Sequence, residues 1–364
     1  MKKRLYFIGN TYKQNHAFRE YIIRTIETTG ALDCVEYYKE ADRSFYGELE
    51  NRVEGREEIY VICSTKSFTL IGKLLSTLTD DKLLLKEGML IPSKCETFTR
   101  NSYLTHVKQS SINVIQAQAS QTLPTVHHNY KSAQHATIQL FEHTIQSAEK
   151  ILATLAKQFD VELYYSQIIT QWIEVKVVCK TYGSIEKFIE IAKQRHSNTL
   201  IITSDLVQHI IDTLIDNKQK ITFAESCTGG LLASYFTLHA GVSSAFEGSL
   251  VTYSNILKEN WIAVENSTLV DNGAVSEAVV SEMCEGALSI ANADYALAIS
   301  GVAGPDGGSD EKPVGTVVIG LKSKHTQKVE TFYFQGDRNY VQHQSVLSAL
   351  KMLILGDKKV FFTN

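Results

Sequence analysis

Ile221-Thr222-Phe223-Ala224-Glu225-Ser226-Cys227-Thr228-Gly229-Gly230, followed by Leu231 to Leu238, reads as a buried strand, a tight turn and a departing helix. Ser226 then sits where a strand becomes a helix. A serine hydroxyl is a weak nucleophile until a base takes its proton, and it works best where backbone N–H groups can hold the oxyanion that forms. Gly229 and Gly230 would let the backbone approach a ligand closely, and the start of the helix would direct unpaired N–H groups and a positive dipole end at it. The amides of Cys227, Thr228, Gly229 and Gly230 are therefore the expected donors. In isolation, the pattern S-x-x-G-G is also that of a simple tight turn.

Downstream, Gly248 to Thr252 reads as the next strand, and Tyr253-Ser254-Asn255 opens a helix carrying Lys258. Ser276 to Ala291 is a long helix, Tyr295 to Ser300 a buried strand, Val314 to Leu321 and Val329 to Phe334 two further strands, and Tyr340 to Leu355 a covering helix. His209, His239, His325 and His343 belong to no recognisable triad, which leaves lysine as the base. Lys258 could act once burial, a helix N-terminus or a neighbouring cation lowers its pKa, although most helix lysines are simply solvated. The loop from Gly301 to Gly308, with four glycines and a proline, is costly in chain entropy and suited to wrapping a ligand through Gly301, Ala303, Gly304 and Asp306. Arg338, after Gly336-Asp337, is the expected phosphate anchor, because a guanidinium fork matches phosphate oxygens; a surface arginine paired to Asp337 is the plainer possibility.

Upstream, Leu5 to Ile8 ends at Gly9-Asn10, Ala17 to Thr28 has helical periodicity, and Ile59 to Cys63 is a buried-strand candidate leading into a helical stretch through Leu75. This part reads as α/β. Ser93 to Gln121 is polar and weakly periodic, and Ser132 to Gln158 is expected as one long amphipathic helix. Glu162 to Thr170, Trp172 to Cys179 and Leu200 to Thr203 are strand-like, with a helix from Ile185 to Arg195 between them. Leu206, Val207, Ile210, Ile211, Leu214 and Ile215 form the apolar stripe of a helix that Ser204 or Asp205 would cap.

A chain of 364 residues exceeds one ordinary core, so several domains are expected. With 44% hydrophobic and 21% charged residues it has the composition of a globular protein, and no apolar run reaches the length of a membrane span. Met1-Lys2-Lys3-Arg4 resembles the charged part of a secretion signal, but Leu5 to Ile8 is too short to complete one, and a cytoplasmic location is expected. A net charge of -4 offers no general attraction for nucleic acid. The six cysteines are scattered without a C-x-x-C pair, which suits reduced thiols. His127-His128 lacks a third ligand and is expected as a loop with two solvated histidines. No metal site is expected.

Taken together, Ala224 to Gly230, Val251-Thr252-Tyr253-Ser254-Asn255, Gly273-Ala274-Val275-Ser276-Glu277, Ser300 to Gly308, Lys312-Pro313-Val314-Gly315-Thr316-Val317 and Gly336-Asp337-Arg338 closely resemble the CinA C-terminal domain family. The resemblance implies hydrolysis of the carboxamide of nicotinamide mononucleotide to nicotinate mononucleotide and ammonia. It implies Ser226 as nucleophile, Lys258 as base, Tyr253 lining the same pocket, no metal or organic cofactor, and a homodimer. The N-terminal part resembles a degenerate form of the molybdopterin-binding-like domain of full-length members. Where that domain carries T-G-G-x-G-P-T, this chain reads Cys63-Ser64-Thr65-Lys66-Ser67-Phe68-Thr69, so the associated metal-dependent ADP-ribose pyrophosphatase activity is not expected. The resulting organisation is α/β and multidomain. Residues 1–130 form the degenerate α/β domain, 131–203 a long helix and small α+β linker domain, and 204–364 the amidohydrolase domain. The competing function is a non-catalytic nucleotide-binding or assembly protein linked to competence or DNA damage, against which Ser226 and Lys258 together argue.

Overall fold

The strand β1 (Lys2–Ile8) lies parallel to β2 (Cys34–Tyr38) on one side and to β3 (Glu57–Cys63) on the other. This computed structural model describes residues 2–28, 30–128, 135–180 and 182–362. Both β1 and β3 are buried nearly throughout, as the inner strands of a parallel sheet covered on both faces must be. The helices α1 (Asn10–Gln14), α2 (His16–Glu27), α3 (Arg43–Arg52) and α4 (Thr65–Leu78) supply the cover. Leu5, Phe7, Tyr60 and Ile62 meet Phe18, Ile22 and Ile26 of α2, while Tyr6, Ile8, Ile59 and Val61 meet Phe45 and Leu49 of α3 and Phe68, Ile71 and Leu75 of α4. Lys2 to Arg4 are the first residues of β1, and Arg4 is buried with its Nε donating to Glu57 Oε2 at 2.6 Å.

After the hairpin β4 (Leu83–Lys86) and β5 (Met89–Pro92), the chain adds β6 (Thr97–Thr99), β7 (Ser102–Val107) and β8 (Ser110–Gln116), giving the order β2-β1-β3-β8-β7-β6. The segment read as polar and weakly periodic is thus largely strand. Asn113 is satisfied on both ends of its amide: Nδ2 donates to Ser102 Oγ and Tyr103 O of β7, and Oδ1 accepts from the N–H of His127 on a loop. His127 and His128 are on a loop as expected but are half-buried, not solvated. Tyr60 Oη lies 2.9 Å from His128 Nδ1, and burial lowers both imidazole pKa values.

The chain divides into two compact units, 1–133 and 134–364. The second opens with a correction: the expected long helix from Ser132 is a strand, β9 (His135–Phe141), followed by α5 (Ile145–Gln158). Residues 132–134 lie outside the described set. Thr144 stops the strand and starts the helix through a capping box with Ser147. With β10 (Val161–Ile169), β11 (Trp172–Cys179), α6 (Ile185–Arg195) and β12 (Leu200–Ile202), β9 forms an antiparallel sheet in the order β10-β11-β9-β12. Phe141 and Trp172 of this sheet join the apolar core of the elements that follow.

Those elements are α7 (Leu206–Asp216), β13 (Ile221–Glu225), α8 (Leu231–Thr237), β14 (Phe246–Val251), α9 (Asn255–Ile262), α10 (Asn266–Asn272), α11 (Glu277–Ala291), β15 (Tyr295–Gly301), β16 (Thr316–Ser323), β17 (Gln327–Tyr333), α12 (Arg338–Gly356) and α13 (Lys358–Phe361). The sheet order is β14-β13-β15-β16-β17, with the first three strands parallel and the last two antiparallel. Phe223, Ile299, Val317 and Ile319 face α7, α8 and α12; Ala224, Ala296, Ala298 and Val318 face α9, α10 and α11. The small side chains on this second face let helices come close. At Gly286 of α11 a Cβ would lie 1.9 Å from Ile262 O, so α9 is seated directly against α11. The parallel strands end together at Glu225, Val251 and Gly301, and ligands of such sheets bind beyond their carboxyl ends.

Candidate active site

Beyond the end of β13, Ser226 N–H donates to Ile299 O of β15 at 2.9 Å, and Gly229 N–H closes the turn on Ser226 O at 3.0 Å. Gly229 and Gly230 hold φ values of +60° and +101°, which a side chain would strain, so the turn can reverse immediately into α8. The carboxylate of Glu225, fully buried, accepts from the N–H groups of Gly230, Leu232 and Ala233 at 3.0–3.1 Å and from Ser249 Oγ at 2.8 Å. The positive end of α8 is thus occupied by the chain's own anion. This corrects the expected donor set, because Gly229 and Gly230 spend their N–H groups inside the protein. Among the described residues, the N–H groups of Cys227 and Thr228 donate to no other residue, and Thr228 Oγ1 is buried without a hydrogen-bond partner.

Lys258 reaches the same turn from α9, whose first turn is capped by Ser254. Its Nζ lies 3.1 Å from Ser226 Oγ, 2.7 Å from Thr252 O and 3.3 Å from Tyr253 O. The residue is 1% exposed, and burial pulls its pKa down to about 8, while the neighbouring Cys227 opposes the shift. A neutral amine has two N–H donors and one lone pair. With the two carbonyls taking the donors, the lone pair is left for the Ser226 hydroxyl. Cys227 does not compete as a nucleophile: burial pushes its thiol up to about 12.

Arg338 opens α12, where Asp337 caps the helix through Tyr340 N and does not pair with the guanidinium. Arg338 Nη1 donates to Gly304 O at 2.8 Å and Nη2 to Tyr253 Oη at 3.0 Å. It therefore clips the glycine-rich loop to the segment that delivers Lys258. Ser300 Oγ donates to Ala274 O at 2.7 Å and joins two more of the motifs.

The sequence profile of the CinA C-terminal domain matches residues 203–355. Over 134 residues the chain is 51% identical to the nicotinamide-nucleotide amidohydrolase PncC of Escherichia coli (strain K12), covering 36% of this chain and 81% of that protein. The chain belongs to the CinA family. The CinA-like protein of Fervidobacterium nodosum is 45% identical over 147 residues, 40% of this chain, of which the chain spans only 36%. The crystal structure of competence damage-inducible protein A from Klebsiella pneumoniae subsp. pneumoniae MGH 78578 is 38% identical, with a TM-score of 0.40, and covers 41% of this chain and 92% of that one.

Within this CinA domain, Ser226, Lys258, Cys227 and Thr228 converge, and Tyr253, Gly304 and Arg338 form a second, linked group. Gly301 ends β15, Ala303 packs into the apolar core, and Asp306 is exposed on the loop. Two participants went unread in the sequence. Glu225 could have been found, since an acidic residue ending a buried strand just before a helix start is the natural partner of that helix's amides. Thr252, whose carbonyl holds Lys258, contributes through its backbone and leaves no residue-type signal. Among the described residues, no three His, Cys, Asp or Glu are grouped to hold a metal ion, all six cysteines are free thiols, and no helix is long and apolar enough to cross a membrane.

Proposed function

We propose that residues 204–364 hydrolyse the carboxamide of nicotinamide mononucleotide, giving nicotinate mononucleotide and ammonia. The 3.1 Å approach of Lys258 Nζ to Ser226 Oγ, with the amine buried, carries the reading. Neutral Lys258 takes the Ser226 proton as Oγ attacks the amide carbon, and the N–H groups of Cys227 and Thr228 receive the oxyanion. Collapse breaks the C–N bond, Lys258 returns the proton to the leaving nitrogen, and ammonia departs. Water then attacks the acyl-enzyme, Lys258 taking its proton and returning it to Ser226 Oγ, which frees the acid. The name of the Escherichia coli relative supports the same chemistry. A homodimer in the cytoplasm accompanies this reading, and sedimentation of the purified chain tests the first part of that expectation.

Arg338 commits two of its five N–H donors within the chain, leaving the others for the phosphate or ribose. Arg338→Met should raise KM about ten- to a hundred-fold, the worth of a charge-assisted hydrogen bond, with a smaller change in kcat. An unchanged KM would remove Arg338 from substrate binding.

Because the neutral amine is the active form, kcat/KM should rise about ten-fold per pH unit below 8 and level off above it. A flat profile between pH 6 and 9 would exclude Lys258 as the base. The experiment for the function itself is ammonia release from nicotinamide mononucleotide by the full chain. Turnover supports the deamidase; tight binding without turnover supports the non-catalytic alternative.

A further inference from the structure

Gln342 stands on α12 one turn beyond Arg338, and its Nε2 donates to Cys227 O at 2.6 Å. Beside it, His343 Nδ1 lies 2.8 Å from Tyr235 Oη of α8, so this part of α12 is fastened to the helix that leaves the nucleophile turn. A trans peptide holds its C=O and N–H on opposite sides of one plane. By taking the Cys227 carbonyl, Gln342 therefore fixes the direction of the Thr228 N–H, an amide that the turn leaves without a partner. A donor on the carbonyl also polarises the peptide, which strengthens the N–H on its far side. Among the described residues no other side chain donates to Cys227 O. The other bonds of the turn hold different peptides: Ser226 N–H to Ile299 O, Gly229 N–H to Ser226 O, Gly230 N–H to Glu225 Oε2 and Leu231 N–H to Thr228 O.

From this geometry we infer that Gln342 is a positioning residue for the hydrolysis. Its amide holds the Cys227–Thr228 peptide so that the Thr228 N–H serves the oxyanion, while Gln342 itself touches no reacting atom. The inference rests on Ser226 being the nucleophile of the proposed reaction.

The test uses the full chain carrying Gln342→Met or Gln342→Glu, with Gln344→Met as control, since Gln344 donates to Gln335 O instead. The readouts are kcat and KM for ammonia release from nicotinamide mononucleotide, the thermal midpoint, and the rate at which a fluorophosphonate labels Ser226. The phosphonyl oxygen of that probe needs the same two amides. Loss of an oxyanion donor costs about a hundred- to a thousand-fold, and a misdirected one should cost less. Gln342→Met is expected to lower kcat roughly ten- to fifty-fold, with KM within about two-fold, the midpoint near that of the parent and labelling slowed in proportion. Gln342→Glu, which sets carboxylate acceptors against the Cys227 carbonyl, should fall at least as far, and Gln344→Met should match the parent. Parental kcat and labelling in Gln342→Met would overturn the inference, as would a loss confined to KM or accompanied by a collapse of the midpoint. If the parent labels at Ser226 but releases no ammonia, the deamidase reading fails and Gln342 is judged on the labelling rates. If Ser226 does not label in the parent, the inference falls with the nucleophile.

Discussion

Ser226→Ala and Lys258→Ala should each lower ammonia release from nicotinamide mononucleotide by roughly ten-thousand-fold, and the double variant should be no worse than either single one. Members of one catalytic unit behave this way because removing any of them removes the whole route, which leaves only the contribution of binding. Among the described residues, the one side-chain nitrogen hydrogen-bonded to Ser226 Oγ is Lys258 Nζ, at 3.1 Å. Lys258→Arg separates two explanations of the lysine. An arginine keeps the positive charge but cannot surrender its proton at any usable pH. It should therefore be as inactive as alanine if Lys258 is a base, and partly active if Lys258 only stabilises charge. The measurement is single-turnover ammonia release on variants whose thermal midpoint matches the parent. Retention of a tenth of the parental rate in Ser226→Ala would refute the nucleophile assignment.

The two elements behind this expectation were legible because the turn from Glu225 to Gly230 has the glycines that a strand-to-helix reversal uses, and because α9 begins where Tyr253-Ser254-Asn255 offers a cap; their pairing was implied by the resemblance to the CinA C-terminal domain alone. The distance between them was not legible. It depends on α9 lying against α11, which Gly286 permits through a contact with Ile262 O far along the chain. Local sequence reads local structure well where apolar spacing has one period. It misread β9 as helix because His135 to Phe141 runs straight into the helix capped at Thr144, and the two periods blur at the join. It missed β7 and β8 for a different reason. Their serines, threonines and asparagine look like loop until Asn113 is seen spending its NH2 on β7 and its oxygen on the His127 N–H.

The donors showed the same limit. From sequence, four successive amides were equivalent candidates for the oxyanion, since glycine adjacency and a helix start favour all of them. The structure separates them by where each hydrogen bond already goes. That accounting needs tertiary contacts, and the contact that orients the remaining peptide, from Gln342, spans more than a hundred residues. α12 supplies Arg338 and Gln342 to the site one turn apart, a spacing that puts both on the same helix face.

Glu225→Ala should be the most damaging single change to the stability of residues 134–364, costing about 3–5 kcal/mol, because several buried donors lose their acceptor at once. Its carboxylate satisfies three amides at the start of α8 and the Ser249 hydroxyl, with no exposure to solvent. Alanine would leave all four groups without an acceptor in a space too small for full rehydration, at about 1–3 kcal/mol for each unsatisfied group before relaxation. Glu225→Gln keeps one oxygen but presents an NH2 to an N–H, so it should recover about half of the loss. An ordinary surface cap such as Asp337, by contrast, is worth only about 1 kcal/mol. For a unit of this size the alanine variant should melt roughly 10 °C below the parent, as read by circular dichroism or calorimetry. The nucleophile turn should loosen with it, because Glu225 is the residue before Ser226 and ties α8 back to β13. A fall of less than about 2 °C would mean that water replaces the carboxylate at the helix start and that the turn is held by its backbone alone.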